Sequence, residues 1–300
     1  MKTTPKAATS AFDLNALERQ RLHQLLDDAG YEALRKAVWQ ERNFDLELFT
    51  FSFVRRAVSS FMAVRGMDAI PRLLDFLRKD QDHWASFVSE LVPPATELFR
   101  EPEVWSHLYH ETPRQPSHPF QGEKLRIWVH GVTSGEVLAS TLIFLHEKGW
   151  LQKSDILATD IHAHILRRAA QMRLIKSKWT PSLKNYGRLQ TGRDQPAGYR
   201  EHDYEWRLAP EYLERVRFRQ QLPHSPPEGH ASFDMILCRN VLLYYKPSIA
   251  QKACYNMVKR LKPGGYLFMG GFERPPASIL KRQLIPVMAD NCLFCKIQAQ

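Results

Sequence analysis

The hydrophobic and polar positions between residues 232 and 272 predict a complete βαβ unit. Phe233–Cys238 is an apolar run that ends at two polar residues, as is typical of a buried strand in a parallel sheet. Between Ala250 and Leu261, apolar residues recur at steps of three and four, which predicts one buried helix face. Pro263 and the two glycines after it should end that helix, and residues 266–269 should begin the next strand.

Three further segments are predicted to form the other parallel strands. They are residues 125–129 and 156–159, to which residues 216–220 are added as a third predicted strand although they are not continuously apolar; a helix is predicted from about Val137 to Lys148. Strands that alternate with helices form a doubly wound α/β sheet, in which ligands bind beyond the carboxyl ends of the strands. The sequence therefore predicts a mostly parallel, Rossmann-like sheet with a site at the residues that follow its strands.

The N-terminal part of the chain shows helical periodicity and no strand pattern. Gly30 is placed to end one helix, and residues 46–62 and 69–77 predict further helices. Residues 167–213 contain scattered prolines and glycines and are predicted to be rich in loops. The predicted organisation is an all-helical domain over residues 1–95, a connecting segment over residues 96–121 and an α/β domain over residues 122–300.

Composition places the chain among globular proteins, with 44% apolar and 25% charged residues in a length of 300. No run approaches the length of a membrane-spanning helix, and the first residues lack the apolar core of a signal peptide, so we expect a cytoplasmic protein without membrane insertion. Cys292 and Cys295 form a CxxC without a second Cys or His pair spaced for zinc, which favours a structural role.

The net charge of +10 is concentrated in part of the chain, because residues 167–200 hold nine Lys or Arg and one acid. Such a cluster attracts nucleic acid, an anionic membrane surface or an acidic protein. Few aromatic residues are interleaved with these charges for base stacking. A solvated basic face is therefore favoured, and no specific nucleic-acid binding is predicted.

The residues after two of the predicted strands have the chemistry of a nucleoside site. Residues 131–136 form a glycine turn that leads from a strand into a helix, which lets backbone approach a ligand. Asp160 ends the next strand, where a carboxylate accepts hydrogen bonds from ribose hydroxyls. His162 and His164 follow and are expected to be exposed; without a third ligand nearby, they predict no metal site.

Several motifs along the chain resemble those of the CheR-type chemotaxis receptor glutamate methyltransferases. FDxIxC, RNVLLYY and LKPGGYLF lie within residues 233–268, ATDI surrounds Asp160, and TELFRE at residues 96–101 is similar to the family's NxTxFFRE. The glycine turn GVTSGEVLAS is similar to the family's GCSTGEEPYS, with departures at Val132 and at residues 137–139. Pro94 stands where the family has Asn. Generic methyltransferases share the LKPGG turn, whereas RNVLLYY is much more specific.

The resemblance implies a methyltransferase sheet that binds S-adenosylmethionine and releases S-adenosylhomocysteine. Arg100 and Tyr244 would border the transferred methyl group and serve the reaction. Some members carry a small peptide-docking β-subdomain near residues 167–213, and no pattern here predicts one. The implied cofactor-binding residues are Thr96, Gly131, Gly135, Glu136, Asp160, Gln221, Leu222, Arg239 and Asn240, where Gln221 replaces an Asn of the family.

The implied activity is S-adenosylmethionine-dependent O-methylation of glutamate side chains on a chemotaxis-receptor-like protein. A glutamate with an unperturbed pKa of about 4.3 is ionised at neutral pH, so its methylation needs orientation by Arg and Tyr but no general base. The expected partner is an acidic or glutamate-bearing helical receptor protein. Two alternatives stay open: a catalytically silent cofactor-binding scaffold, and a methyltransferase that acts on RNA or a small molecule.

Overall fold

The structure, a computed structural model, describes residues 26–91, 97–114, 118–229, 232–288 and 292–297. The chain divides into two compact units. One unit contains the described residues up to 91 together with Tyr244–Lys246, and the other contains the rest. Thr96 lies outside the described residues, and the predicted domain limits stay a prediction.

Helices form the first unit, as predicted. In the described part of this unit they are α1 (Asp28–Arg42), α2 (Phe51–Val64), α3 (Ile70–Lys79) and α4 (Gln81–Glu90), with a one-turn helix at Leu46–Leu48. The prediction that Gly30 ends a helix is wrong. Asp27 accepts a hydrogen bond from the Gly30 N–H at 2.7 Å and caps the start of α1. Aromatic rings fill the interior, with the centroids of Phe61 and Phe87 5.4 Å apart.

The second unit contains a large and a small sheet with their helices. The strands are β1 (Leu125–His130), β2 (Ser154–Asp160), β3 (Arg173–Ile175), β4 (Tyr199–His202), β5 (Glu205–Leu208), β6 (Val216–Gln220), β7 (Phe233–Cys238), β8 (Leu261–Met269), β9 (Leu284–Pro286) and β10 (Leu293–Lys296). The helices are α5 (Pro102–His110), α6 (Glu136–Glu147), α7 (Ala163–Ala169), α8 (Lys176–Gly187), α9 (Pro247–Arg260) and α10 (Ala277–Leu280). One-turn helices lie at Thr112–Arg114, Leu151–Lys153 and Pro210–Leu213, and another at Leu242–Tyr244 ends at the first residue of the segment that belongs to the helical unit.

The large sheet confirms the predicted mostly parallel fold. Its strand order is β6-β2-β1-β7-β8-β10-β9. The pairs from β6 to β8 are parallel, and β10 is antiparallel to both of its neighbours. The order of the strands reverses between β1 and β7, and such a switch point opens a crevice at the carboxyl ends of the strands.

The β7–β8 pair departs from the predicted boundaries. Strand β8 begins at Leu261 rather than at Tyr266, and the register shifts so that Phe233 pairs with Leu261 while Met235 pairs with Tyr266. The residues between Leu261 and Tyr266 form an irregularity in the ladder. Gly265 permits this close approach, because a Cβ there would lie 2.9 Å from the Lys262 carbonyl oxygen and 3.0 Å from that of Asp234.

A small antiparallel sheet occupies the region that was predicted to be loops. Its strand order is β3-β5-β4. The strands have only three or four residues, too few for a clear period-two pattern. Trp206 of β5 stacks on Trp179 of α8, with ring centroids 3.8 Å apart, and this contact attaches the sheet to its helix.

Helix α5 contributes directly to the core of the α/β unit. The buried ring of Trp105 lies 5.3 Å from Phe268 and 5.5 Å from Phe99, measured between centroids. Among the described residues, no helix combines the length and the apolar character that are needed to cross a membrane.

Replacing Gly265 with alanine should destabilise the α/β unit by about 1–3 kcal/mol, because the new methyl group would press on two carbonyl oxygens. Gly122→Ala is the matched control, since its nearest neighbour would lie at an ordinary 3.5 Å. Urea unfolding followed by circular dichroism measures both changes. Equal midpoints for the two variants would contradict the close packing at Gly265.

Candidate functional site

The glycine turn after β1 contains three positions with positive φ, namely Gly131, Thr133 and Gly135. Gly131 has φ 71°, and its N–H donates to the Thr159 carbonyl oxygen at 2.8 Å. A Cβ at Gly131 would lie 2.7 Å from Cγ2 of Val241, so this glycine lets the loops after β1 and β7 meet. Gly135, with φ 102°, immediately precedes α6, and a Cβ there would lie 3.2 Å from the Ala169 carbonyl oxygen.

Asp160 lies buried at the carboxyl end of β2 and fixes the glycine turn. Its Oδ2 accepts a hydrogen bond from the Thr133 N–H at 3.0 Å, and its Oδ1 accepts one from the Ile161 N–H at 2.7 Å. Burial raises the pKa of Asp160 to about 6, and the bonds from backbone N–H groups oppose that rise. The N–H groups of Thr133, Ile161 and His162 leave the carboxylate with capacity for a further donor, such as a ribose hydroxyl.

The segment after β6 lies beside Asp160. The Gln221 N–H donates to the Asp160 carbonyl oxygen at 2.8 Å, and the Gln221 side-chain amide donates to the Ser225 carbonyl oxygen at 2.7 Å. Leu222 follows with 46% of its surface exposed. The structure thus brings Gly131, Gly135, Asp160 and the Gln221-Leu222 segment to one edge of the sheet.

Glu136 is buried at the first position of α6 and is held by an ion pair. Lys178 of α8 lies 2.8 Å from its Oε1, and the Ser134 hydroxyl donates to its Oε2. The ion pair ties the glycine turn to α8. The predicted contact of Glu136 with the cofactor stays a prediction.

Arg239 follows β7 as a buried cation. Its guanidinium donates to the Arg100 carbonyl oxygen at 2.7 Å and pairs with the Glu101 carboxylate. Its Cζ lies 4.3 Å from the centre of the Phe268 ring. In the structure, Arg239 therefore positions the Arg100-Glu101 turn, and direct contact with a cofactor stays a prediction.

Arg100 lies in a turn whose backbone is fixed on both sides. Phe99 and Glu101 have φ values of 52° and 59°, in the left-handed region. The Phe99 N–H donates to Ser140 Oγ at 2.9 Å, and Glu101 Oε1 accepts from the Gly271 N–H at 2.7 Å. Within the described residues, the partly exposed guanidinium of Arg100 has no hydrogen-bond or ion-pair partner.

Asn240 leads to a residue that the sequence analysis missed. The carboxylate of Glu273, which is 4% exposed, accepts hydrogen bonds from four backbone N–H groups. The donors are Asn240 at 2.6 Å, Val241 at 2.8 Å, Leu242 at 2.6 Å and Gly270 at 2.9 Å. Burial raises the pKa of Glu273, and these bonds oppose that rise. Glu273 thus joins the loops after β7 and β8. The only feature of the sequence that could have indicated Glu273 is its position shortly after a predicted strand.

Tyr244 belongs to the helical unit. Its carbonyl oxygen accepts from the Thr50 N–H at 2.9 Å, and its ring lies 4.7 Å from that of Phe53. Arg100 and Tyr244 therefore belong to different units, and their joint role in catalysis stays a prediction.

The His162/His164 pair and the Cys292/Cys295 pair are described by their local contacts. His162 is half-buried rather than exposed, because its Nδ1 accepts the His164 N–H at 3.1 Å and caps α7; burial lowers its pKa to about 4. Cys292 and Cys295 lie in or beside β10 and are not bridged to each other.

Carboxylates offset part of the basic stretch. Lys178 pairs with Glu136, as described above, and Lys176 pairs with Glu201 at 2.8 Å. The further pairs are Arg173 with Glu205 and Arg188 with Glu103. These pairs favour a structured, partly neutralised surface over a continuous nucleic-acid track.

Residues 94–286 match the model of the CheR methyltransferase S-adenosylmethionine-binding domain. The chain belongs to this family. It is 27% identical over 246 residues to the chemotaxis protein methyltransferase of Listeria innocua serovar 6a, covering 81% of this chain and 89% of the relative. Chemotaxis protein methyltransferase 2 of Vibrio cholerae serotype O1 is 31% identical over 196 residues, covering 62% of this chain and 64% of the relative.

The likeness to solved structures is more limited. The N-methyltransferase NodS from Bradyrhizobium japonicum, in complex with S-adenosyl-l-homocysteine, is 16% identical, with a TM-score of 0.38. It covers 75% of this chain and 95% of NodS.

As a member of the family, the chain is an S-adenosylmethionine-dependent methyltransferase. The residues at the sheet edge fit this cofactor. Asp160 offers a buried carboxylate for hydroxyl donors, and the positive-φ glycines keep the turn free of side chains beside it.

Affinity for S-adenosylhomocysteine should fall by up to about tenfold for each pH unit below about 6, because a protonated Asp160 must release its proton before the carboxylate accepts a ribose hydroxyl. Above that pH the affinity should be constant. Calorimetry between pH 5 and 8 measures the profile. Asp160→Asn should bind weakly without this dependence, and Asp155→Asn on the same strand should retain it. A flat wild-type profile would remove Asp160 from the cofactor site.

Replacing Glu273 with glutamine should destabilise the α/β unit by about 3 kcal/mol, because a buried amide cannot satisfy four converging N–H donors. Glu228→Gln, whose side chain is 87% exposed, should change stability by less than about 0.5 kcal/mol. Chemical unfolding of both variants tests this difference. Wild-type stability in Glu273→Gln would show that the four bonds do not hold the loops.

Proposed function

We propose that the chain methylates glutamate side chains of a chemotaxis-receptor-like protein and forms carboxyl methyl esters. The names of the relatives from Listeria innocua and Vibrio cholerae, "Chemotaxis protein methyltransferase" and "Chemotaxis protein methyltransferase 2", support the chemotaxis setting. The observation that carries the choice of a carboxylate is Arg100. Its backbone is fixed by Arg239 and Glu101, while its guanidinium has no partner among the described residues.

The proposed chemistry relies on positioning. S-adenosylmethionine supplies an electrophilic methyl group on a sulfonium centre. Asp160 and the segment after β6 would hold the nucleoside, while the glycine turn would leave room for the methionine part of the cofactor. Arg100, with Tyr244, would orient the substrate carboxylate for in-line attack. A glutamate side chain with a pKa of about 4.3 is already ionised, so the chain needs no general base for this reaction.

The turn that carries Arg100 is suited to this task. Arg100 stands between two residues with positive φ. The turn is held at three points, because the Phe99 N–H donates to Ser140 Oγ while the Gly271 N–H and the Arg239 guanidinium donate to Glu101 Oε1 and the Arg100 carbonyl oxygen. A fixed backbone reduces the freedom of the guanidinium to its own side-chain torsions. Arg binds carboxylates through two parallel N–H donors, which gives orientation as well as attraction.

The proposed partner is an acidic or glutamate-bearing helical region of a receptor. By resemblance, a basic helix of the N-terminal domain faces the methylation region of the receptor, and Arg55 and Arg56 lie on α2. Arg56 is exposed in the helical unit. Its charge would attract acidic residues that flank a methylation site.

Arg100→Ala should lower the rate of methyl transfer by roughly 10²-fold, which corresponds to about 2.7 kcal/mol, because the substrate carboxylate loses its orienting cation. Affinity for S-adenosylhomocysteine should change little. Arg217→Ala, on β6 and paired with Asp155, is the control and should leave both properties unchanged. The measurement uses receptor fragments and a labelled methyl group, with methanol release after mild alkali as the readout.

Label that survives mild alkali would contradict ester formation and indicate transfer to nitrogen or to a hydroxyl. A loss of cofactor affinity equal to the loss of rate in Arg100→Ala would place Arg100 in cofactor binding. Cofactor binding without transfer to any receptor fragment would favour the silent scaffold, whereas transfer to RNA would favour the other alternative.

A further inference from the structure

Three arginines lie side by side across the small sheet. In the β3-β5-β4 order, Arg173 pairs in register with Arg207, and Arg207 pairs in register with Arg200. Residues directly opposite one another in antiparallel strands have Cα atoms about 5 Å apart, and their side chains lie on the same face. The three residues therefore form one row of like charges, which we call the arginine row.

The row lies on the face of the sheet away from the core. Leu174, Trp206, Tyr199 and Leu208 alternate with the arginines along the strands and are buried or half-buried on the opposite face. On that inner face Trp206 stacks on Trp179 of α8, and Tyr199 contacts the same ring at a tilted angle. The arginine side chains are more accessible, with 48% exposure for Arg173 and 42% for Arg207.

The charges of the row are only partly compensated. Glu205 pairs with both Arg173 and Arg207, so one carboxylate serves two guanidinium groups. Arg200 has neither a hydrogen bond nor an ion pair with any residue that the structure describes. Like charges directly opposite one another destabilise a sheet, so this arrangement favours a bound anion.

A pocket of about 420 Å³ opens at the row. Its lining includes all three arginines and His202, together with the segment Leu208, Ala209 and Pro210 that follows Arg207. Gln171 and Glu211 complete the lining. This volume lies within the range of small-molecule sites, and its positive groups come from three separate strands.

We propose that the arginine row binds a small ligand through a phosphate group. A phosphate ester carries close to two negative charges and three acceptor oxygens, which match several guanidinium forks, whereas one carboxylate offers one charge. No Phe, Tyr or Trp is among the pocket-lining residues, and the large rings of the sheet, Tyr199 and Trp206, lie on its inner face. The pocket therefore offers no large ring on which nucleic-acid bases could stack, and this favours a compact phosphate over a strand of RNA.

The site is separate from the proposed methyl-transfer chemistry. None of its lining residues is a predicted cofactor or catalytic residue, and it lies on the small sheet rather than at the switch point of the large one. Phosphate binding can therefore be tested independently of methyl transfer, with S-adenosylhomocysteine added to fill the cofactor site.

The test is calorimetric titration of the full chain with inorganic pyrophosphate, in the presence of saturating S-adenosylhomocysteine. Wild type should bind pyrophosphate more tightly than citrate at the same ionic strength. Arg200→Gln should weaken pyrophosphate binding about tenfold or more, because it removes a charged donor. Arg200→Lys, which keeps the charge without the fork, should lie between the two. The control Arg217→Gln removes an exposed strand arginine outside the row and should bind as wild type does.

Thermal unfolding gives a second readout with a distinctive sign. Without added anion, Arg200→Gln should unfold at a temperature equal to or above that of wild type, because the substitution relieves repulsion within the row. With pyrophosphate, the wild type should gain more than the variant. Inorganic phosphate and ADP then distinguish a free phosphate from a nucleotide as the source of the group.

Three results would overturn the proposal. One is wild-type binding of pyrophosphate by Arg200→Gln, and another is citrate binding as tight as pyrophosphate binding. The third is absence of binding at millimolar pyrophosphate. Binding of an acidic peptide that outcompetes pyrophosphate would assign the row to a protein partner instead.

Discussion

The candidate site depends on one buried carboxylate, that of Glu273, which accepts four backbone N–H groups. Those donors come from two separate loops, after β7 and after β8, so a single side chain sets the distance between them. Backbone N–H groups removed from water must be paired, and a carboxylate is the strongest acceptor that a side chain offers. Val241, fixed in this way, packs on Gly131, and the arrangement thereby extends to the glycine turn after β1.

A second buried charge carries the same arrangement to Arg100. Arg239 is buried and pairs with Glu101, and the pair is completed by the Arg100 carbonyl oxygen and the ring of Phe268. Breaking one partner of such a pair is costly because it leaves the other charge without compensation, although the intact pair need not add net stability. Its value here is positional. It holds Arg100 on a turn with two left-handed residues, beside Arg239 at the carboxyl end of β7.

Much of the large sheet could be predicted because its strands are buried on both faces. Phe233–Cys238, which is buried throughout, has the predicted limits, and the rule for strand ends located Asp160 at the end of β2. Val216–Gln220 also has the predicted limits, although it is an edge strand whose residues are exposed or half-buried. Glu273 escaped prediction because its partners are backbone groups, which leave no pattern of side chains in the sequence. The arginine row escaped because it exists only in the register of three short strands. The irregularity at Gly265 likewise could not be predicted, because it depends on the pairing of β8 with the neighbouring strand β7. The local residues Pro263, Gly264 and Gly265 indicated only the end of a helix.

The most direct test of the account is hydrogen–deuterium exchange of the chain with and without S-adenosylhomocysteine. The central claim is that the cofactor lies at the switch point of the large sheet, beside the loops that Asp160 and Glu273 organise. The account predicts slower exchange on binding in residues 131–136, 160–162, 221–222 and 240–242, with little change in β3, β4 and β5. Protection confined to the small sheet, or absent from the segment around Asp160, would contradict it.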